Sequence, residues 1–186
     1  AAVRAAEPAC EAERFVELPV TMAGRRPLIR AKVNGVEQLF LADSGAVFSM
    51  IPAELATRLK MELRPAPKEF AMGGLGGYFD VRTATAKTFE IAGRTVPDVP
   101  FLVGGEQTDT PGIIGQNVLA MADTQYDLAA GMIRLVRASK CGERAAIAWA
   151  GGQPFAAMDI EPPTNSERHI AGAGSINGVT LRVAFD

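Results

Sequence analysis

Asp43 is the residue of this chain best placed to do chemistry. It closes the apolar run Leu39-Phe40-Leu41-Ala42 and leads into Ser44-Gly45-Ala46, after which Phe48 to Ile51 is largely apolar again. A carboxylate between two apolar runs is costly to bury without a purpose, and a carboxyl group so placed is a candidate general acid or base. The plain alternative is a turn residue that caps the amide of Gly45. Further along, Gly112-Ile113-Ile114-Gly115 sets two glycines around a β-branched pair, just ahead of a short helix. Small residues there allow close approach of a neighbouring backbone, and the pair between them favours extended structure.

Between these segments lies Phe70 to Val81, with Gly73, Gly74, Gly76 and Gly77 at its centre and apolar residues on both sides. That composition suits a hairpin with a mobile tip, although a flexible loop packed by Met72, Leu75 and Tyr78 would read the same way. The elements that must hold these segments are mostly strands. Phe15 to Val20 alternates, and Leu28 to Asn34 with Val36 to Ala42 forms a hairpin around Asn34-Gly35. Pro52 suits the first turn of a helix over Ala53 to Leu59. Lys87 to Ile91 and Val96 to Val103 form a hairpin around Ala92-Gly93-Arg94, a short helix is expected over Val118 to Met121, and Thr124 to Leu128 pairs with Met132 to Val136 across Ala129-Ala130-Gly131. So much strand is best packaged as a closed or near-closed barrel, giving an all-β fold with one or two short helices.

The order Asp-Ser-Gly-Ala, glycine-rich hairpin, then Gly-Ile-Ile-Gly with a helix resembles the retropepsin family of aspartic proteases, over residues 28 to 137. The resemblance implies a retropepsin-like barrel and a flap, formed around Met72, Gly73, Gly74, Leu75, Gly76, Gly77 and Tyr78, that closes over an extended peptide. It also implies a site built on Asp43, Ser44 and Gly45, walled by Ala46, Ile113 and Ile114. Hydrolysis in this class uses two carboxylates flanking one water, one ionised as base and the other protonated toward the scissile carbonyl; two such groups cannot both ionise cheaply and titrate as a coupled pair. Retroviral members usually carry an acidic residue and an arginine where this chain has Val47 and Gln116. Both charges are replaced together, which strands neither and argues against the viral style of dimer contact.

The proposed protease domain spans residues 14–138 and is followed by a linker, 139–170, whose Ala/Gly-rich and Pro-rich stretches differ from the rest. Beyond it, Ile176-Asn177-Gly178-Val179 repeats Val33-Asn34-Gly35-Val36 at a spacing of 143, and Asp186 lies 143 positions after Asp43. Residues 171–186 therefore read as the start of a second, truncated unit of the same kind, with one extra strand of the first domain as the alternative. The second acid is then Asp186 in an intrachain pseudo-dimer, or Asp43 of another copy in a homodimer.

Bulk properties narrow the function. The chain has 186 residues, 48% of them hydrophobic, and a formal charge of −2. Lys and Arg are scattered, which disfavours nucleic-acid binding, and no apolar run approaches the roughly twenty residues of a membrane span. Cys10 and Cys141 bracket the domain, so a disulfide between them would clip its ends and place the protein in a periplasm or outside the cell; two free thiols in a cytosolic protein is the alternative. These two cysteines and the single His169 make no metal site, no cofactor is implied, and His169 reads as solvated. The leading expectation is an aspartic endopeptidase acting on peptide or protein substrates. The competing ones are a non-catalytic peptide-binding or assembly module with an incomplete dyad, and a structural protein with an idle Asp43.

Overall fold

The computed structural model describes residues 11–67, 72–74, 77–79, 81–104, 111–139, 154, 156, 158–162 and 169–185. In chain order its elements are β1 (Glu11–Pro19), β2 (Thr21–Ala23), β3 (Arg26–Val33), β4 (Val36–Ala42), β5 (Met50–Pro52), α1 (Ala53–Arg58), β6 (Arg64–Pro65), β7 (Met72–Gly74), β8 (Gly77–Phe79), β9 (Arg82–Ile91), β10 (Arg94–Gly104), β11 (Gly112–Ile114), α2 (Gln116–Leu119), β12 (Asp123–Asp127), β13 (Met132–Ser139), β14 (Ala171–Ile176) and β15 (Val179–Ala184).

Asn34 and Gly35 both take positive φ, 48° and 81°. That is the geometry of a two-residue turn whose twist matches its flanking strands, and it fixes Val33 opposite Val36 and Leu28 opposite Leu41. With this register Ile29, Ala31, Val33 and Phe40 fall on one face and are at most 4% exposed, as the two-residue period of a strand requires. β3, β4, β11, β5, β10 and β9 pair in that order, and β9 pairs back onto β3, which closes a six-strand barrel; β2 and β6 extend the sheet beside it. Phe40, Phe89 and Phe101 fill its interior, with ring centroids 5.5 to 6.3 Å apart, within the range of favourable aromatic packing.

A separate three-stranded sheet is ordered β1-β13-β12. Arg134 crosses it, with Nε 3.1 Å from Glu17 of β1 and Nη1 2.9 Å from Asp127 of β12. Glu11 pairs with Ser139 at the far end of this sheet. Cys10, Cys141 and Asp186 lie outside the described residues, as does most of the expected linker. Among the described residues, no helix is long and apolar enough to cross a membrane.

The second short helix begins earlier than its apolar residues suggest, at Gln116 rather than Val118, and ends at Leu119 rather than Met121. The reason is tertiary. The amide of Gln116 donates to Ala46 O at 2.8 Å, and Gly115 O accepts from both Val118 N and Leu119 N, so the first turn is set by the Asp43 loop rather than by local propensity.

Candidate active site

β11 is the strand that positions Asp43. It runs parallel to β4, with Ile113 opposite Leu41, and antiparallel to β5, with Ile113 opposite Met50. It is therefore wedged between two strands that are consecutive in the sequence, and the loop joining them, residues 43–49, must cross over its end. Two glycines permit this. A side chain at Gly112 would collide with the ring of Phe40 and come within 3.0 Å of Met50 O. A Cβ at Gly115 would stand 2.6 Å from Ala46 O and 2.8 Å from the Phe48 carbonyl carbon. Neither position has room for anything larger.

The Asp43 turn is bound on both sides. Its amide donates to Ile114 O at 3.0 Å. Its Oδ1 accepts from the amides of Gly45 at 2.9 Å and Ala46 at 3.0 Å, so the turn caps itself and aims the carboxylate. The half-buried carboxyl group thus keeps its second oxygen out of this pair of bonds. Ser44 contributes through its backbone: Ser44 O accepts from Nε2 of Gln116 at 2.8 Å. Gln116 is 7% exposed, and this neutral amide bond is made by the residue that replaces the arginine of the retroviral pattern.

A second knot lies beneath the turn. Ser49, with no exposed surface, donates its Oγ to Asn117 Oδ1 at 2.8 Å and its amide to the same oxygen at 2.7 Å. The Ser49 Oγ in turn accepts from Gly115 N at 3.1 Å. Partners 68 residues apart thereby lock the loop to the start of α2. Neither residue was singled out from the sequence, because a serine and an asparagine so far apart carry no local signal.

The expected wall residues separate by strand alternation. Ile114 is wholly buried in the barrel core, while Ile113 on the opposite face is half-buried; Ala46 is half-buried beside Asp43. Of the expected flap, Met72–Gly74 and Gly77–Phe79 pair antiparallel, with Gly73 opposite Tyr78 and Gly74 opposite Gly77. Leu75 and Gly76 lie outside the described residues.

Two residues join the site unannounced. Tyr126 on β12 is 36% exposed, yet its phenol is pushed up to about 12, first by burial and then by the negative charge of Asp43. The phenol is thus kept protonated. His169, although exposed, is not idle: its Nδ1 lies 2.8 Å from Gly45 O, the carbonyl at the tip of the Asp43 turn. A single aspartate and a lone histidine in a polar stretch gave no sign of this contact.

Residues 29–118 match the family model described as aspartyl protease. Among solved structures, a retropepsin-like aspartic protease from Rickettsia conorii is 20% identical, with a TM-score of 0.52 over 70% of this chain and 96% of that one. EIAV protease complexed with the inhibitor HBY-793 is 24% identical, with a TM-score of 0.45 over 55% of this chain and 93% of that one. No curated protein matches the chain.

Proposed function

Residues 29–118 belong to the aspartyl protease family on a retropepsin-like barrel, and from that premise we infer that the chain is an aspartic endopeptidase in which Asp43 supplies one of the two acids. The observation that carries this reading is the Asp43 turn itself. One carboxylate oxygen takes two backbone amides, which fixes the orientation of the carboxyl group and leaves the other oxygen for a water. In such a pair the ionised carboxylate removes a proton from the water as it attacks the peptide carbonyl, and the protonated partner hydrogen-bonds the developing oxyanion. The partner acid is Asp186 of this chain or Asp43 of a second copy.

The β7–β8 hairpin is the proposed flap, binding an extended peptide by strand-like hydrogen bonds, with Ile113 and Ala46 as apolar wall. The Tyr126 phenol, protonated through neutral and acid pH, would donate to a carbonyl or water near Asp43. A periplasmic or extracellular location, with Cys10 joined to Cys141, belongs to the same proposal. It is supported by the register that sets Glu11, next to Cys10, opposite Ser139, two residues before Cys141.

The test is cleavage of an unfolded, casein-like protein at mildly acidic pH by the wild type and by Asp43→Asn. Loss of cleavage in the variant, and inhibition of the wild type by a statin-type mimic of the tetrahedral intermediate, are expected. Equal cleavage by both proteins removes Asp43 from the chemistry. Peptide binding without cleavage by either turns the reading to a binding module.

A further inference from the structure

The hairpin β14–β15 repeats β3–β4 pair for pair. Leu28↔Leu41 through Val33↔Val36 recurs at a spacing of 143 as Ala171↔Ala184 through Ile176↔Val179. Both hairpins turn on Asn-Gly with positive φ at each residue, 48° and 81° in the first and 51° and 79° in the second. Polarity repeats in phase as well. The face of the first hairpin that carries Val33 and Phe40 is sealed in the barrel, both residues at 0% exposure. The corresponding face of the second carries Ile176, Val179, Leu181, Val183 and Phe185, exposed by 65, 60, 42, 38 and 47%. Its opposite face carries Ala173, Ser175, Thr180 and Arg182.

That distribution is inverted for a finished element. A two-stranded hairpin is marginal in water without a covered apolar face, and open strand edges invite pairing. The outer edge of β3 is taken by β2 and β9 and that of β4 by β11. Among the described residues, β15 pairs only with β14, and the outer edge of β14 makes one bridge, Gly172 to Ile160. The root of the hairpin, by contrast, is fixed. Ala171 is fully buried, Phe185 N donates to Ile170 O and Glu161 N to Ala171 O, each at 2.8 Å, and Arg182 Nε meets Glu161 at 2.9 Å. His169 then ties this root to the Asp43 turn through Gly45 O.

We infer that β14–β15 is the opening hairpin of a second barrel of this same fold, that the interior of that barrel covers its apolar face, and that two strands of that barrel pair with its open edges. One strand runs antiparallel to β14 as β9 does to β3, and the other runs parallel to β15 as β11 does to β4. The inference rests on the proteolytic reading only in giving Asp186 a use, since Asp186 follows β15 in the sequence as Asp43 follows β4.

Two measurements test it, and neither needs peptidase activity, so each can fail without touching Asp43. In the chain itself, Val179→Asp with Leu181→Asp should lower the fluorescence of a bound anilinonaphthalene dye about twofold and leave the melting temperature within about 2 °C. A melting loss of several degrees would mean that the face already packs on this chain, which overturns the proposal. So would a micromolar dimer, seen by sedimentation, that the two substitutions dissolve, because the occupant is then a second copy. In the second measurement, a copy of residues 44–139 is appended after Asp186, supplying the two partner strands at the spacing they have after Asp43. Amide exchange across residues 172–184 should slow by about tenfold or more, and the Asp substitutions should abolish that gain. A hairpin that exchanges as fast in the extended chain as in the original refutes the inference, whatever the appended segment does.

Discussion

Gly115→Ala should be among the most damaging single substitutions available in this chain, although it adds only one methyl group. The added carbon would stand 2.6 Å from Ala46 O, 2.8 Å from the Phe48 carbonyl carbon and 2.9 Å from Phe48 O. All three are backbone atoms, so no side chain can swing away; the loop or the helix must move. Overpacking of this kind costs about 1 to 3 kcal/mol, and three rigid contacts put it at the upper end. Displacing Ala46 also stretches the Gln116 N to Ala46 O bond, and displacing the loop weakens the Gln116 Nε2 to Ser44 O bond, each worth about 1 kcal/mol. The sum is about 3 to 5 kcal/mol, or about 6 to 20 °C of melting temperature for a chain of this size.

The control is Gly24→Ala. Gly24 has φ of +64° but nothing within 4 Å of an added Cβ, so only the left-handed backbone penalty applies, about 1 to 2 kcal/mol. Gly115 has φ of −104°, so its cost is steric alone. Thermal melts of both variants by circular dichroism decide the matter. If Gly115→Ala melts at or above Gly24→Ala, the loop is not braced against α2 as argued.

Asn117→Leu should cost about 2 to 4 kcal/mol by chemical denaturation, because it leaves the wholly buried Ser49 amide and hydroxyl without their acceptor; adding Ser49→Ala should recover part of that loss, and strict additivity would argue against the shared network. Asp43→Asn should lower the titration of Tyr126 from about 12, since removing a negative charge makes the phenolate easier to form; ultraviolet difference absorbance in a Tyr78→Phe background reads it, and an unchanged titration means that the two groups are not neighbours. If Cys10 and Cys141 are joined, protein refolded under oxidising conditions carries no titratable thiol and loses up to about 4 to 5 kcal/mol on reduction; two reactive thiols at full native stability would dismiss the bridge.

The parts of the site that are local were legible in the sequence. Asn34-Gly35 set the turn side of its hairpin to within a residue, because two positive φ values in a row allow one register, although β3 begins two residues earlier than expected, at Arg26. The Asp43 turn and the glycines around Ile113-Ile114 were legible because each obeys a short-range rule. The rest depends on partners far apart in the chain. The Ser49 to Asn117 knot, the amide of Gln116 on Ser44 and the start of α2 exist only once β11 is wedged beside β4. Ile114 could have been separated from Ile113 by strand alternation alone, since adjacent residues of one strand cannot both face the same cleft. Tyr126 and His169 had no such route, for nothing in a five-residue strand or a polar stretch announces the turn it will meet.

The wedged strand also carries a consequence for synthesis. Every other stave of the barrel leaves the ribosome before Gly112, yet β4 and β5 have no hydrogen-bonded neighbour between them until residues 112–114 arrive. A nascent polypeptide stopped at Pro111 therefore has its acidic turn translated but slack, with the Ile114 carbonyl and the Gln116 amide still unmade. Pairing over so long a loop is slow and late in a folding reaction, so the Asp43 turn is set only as the last stave closes the shell.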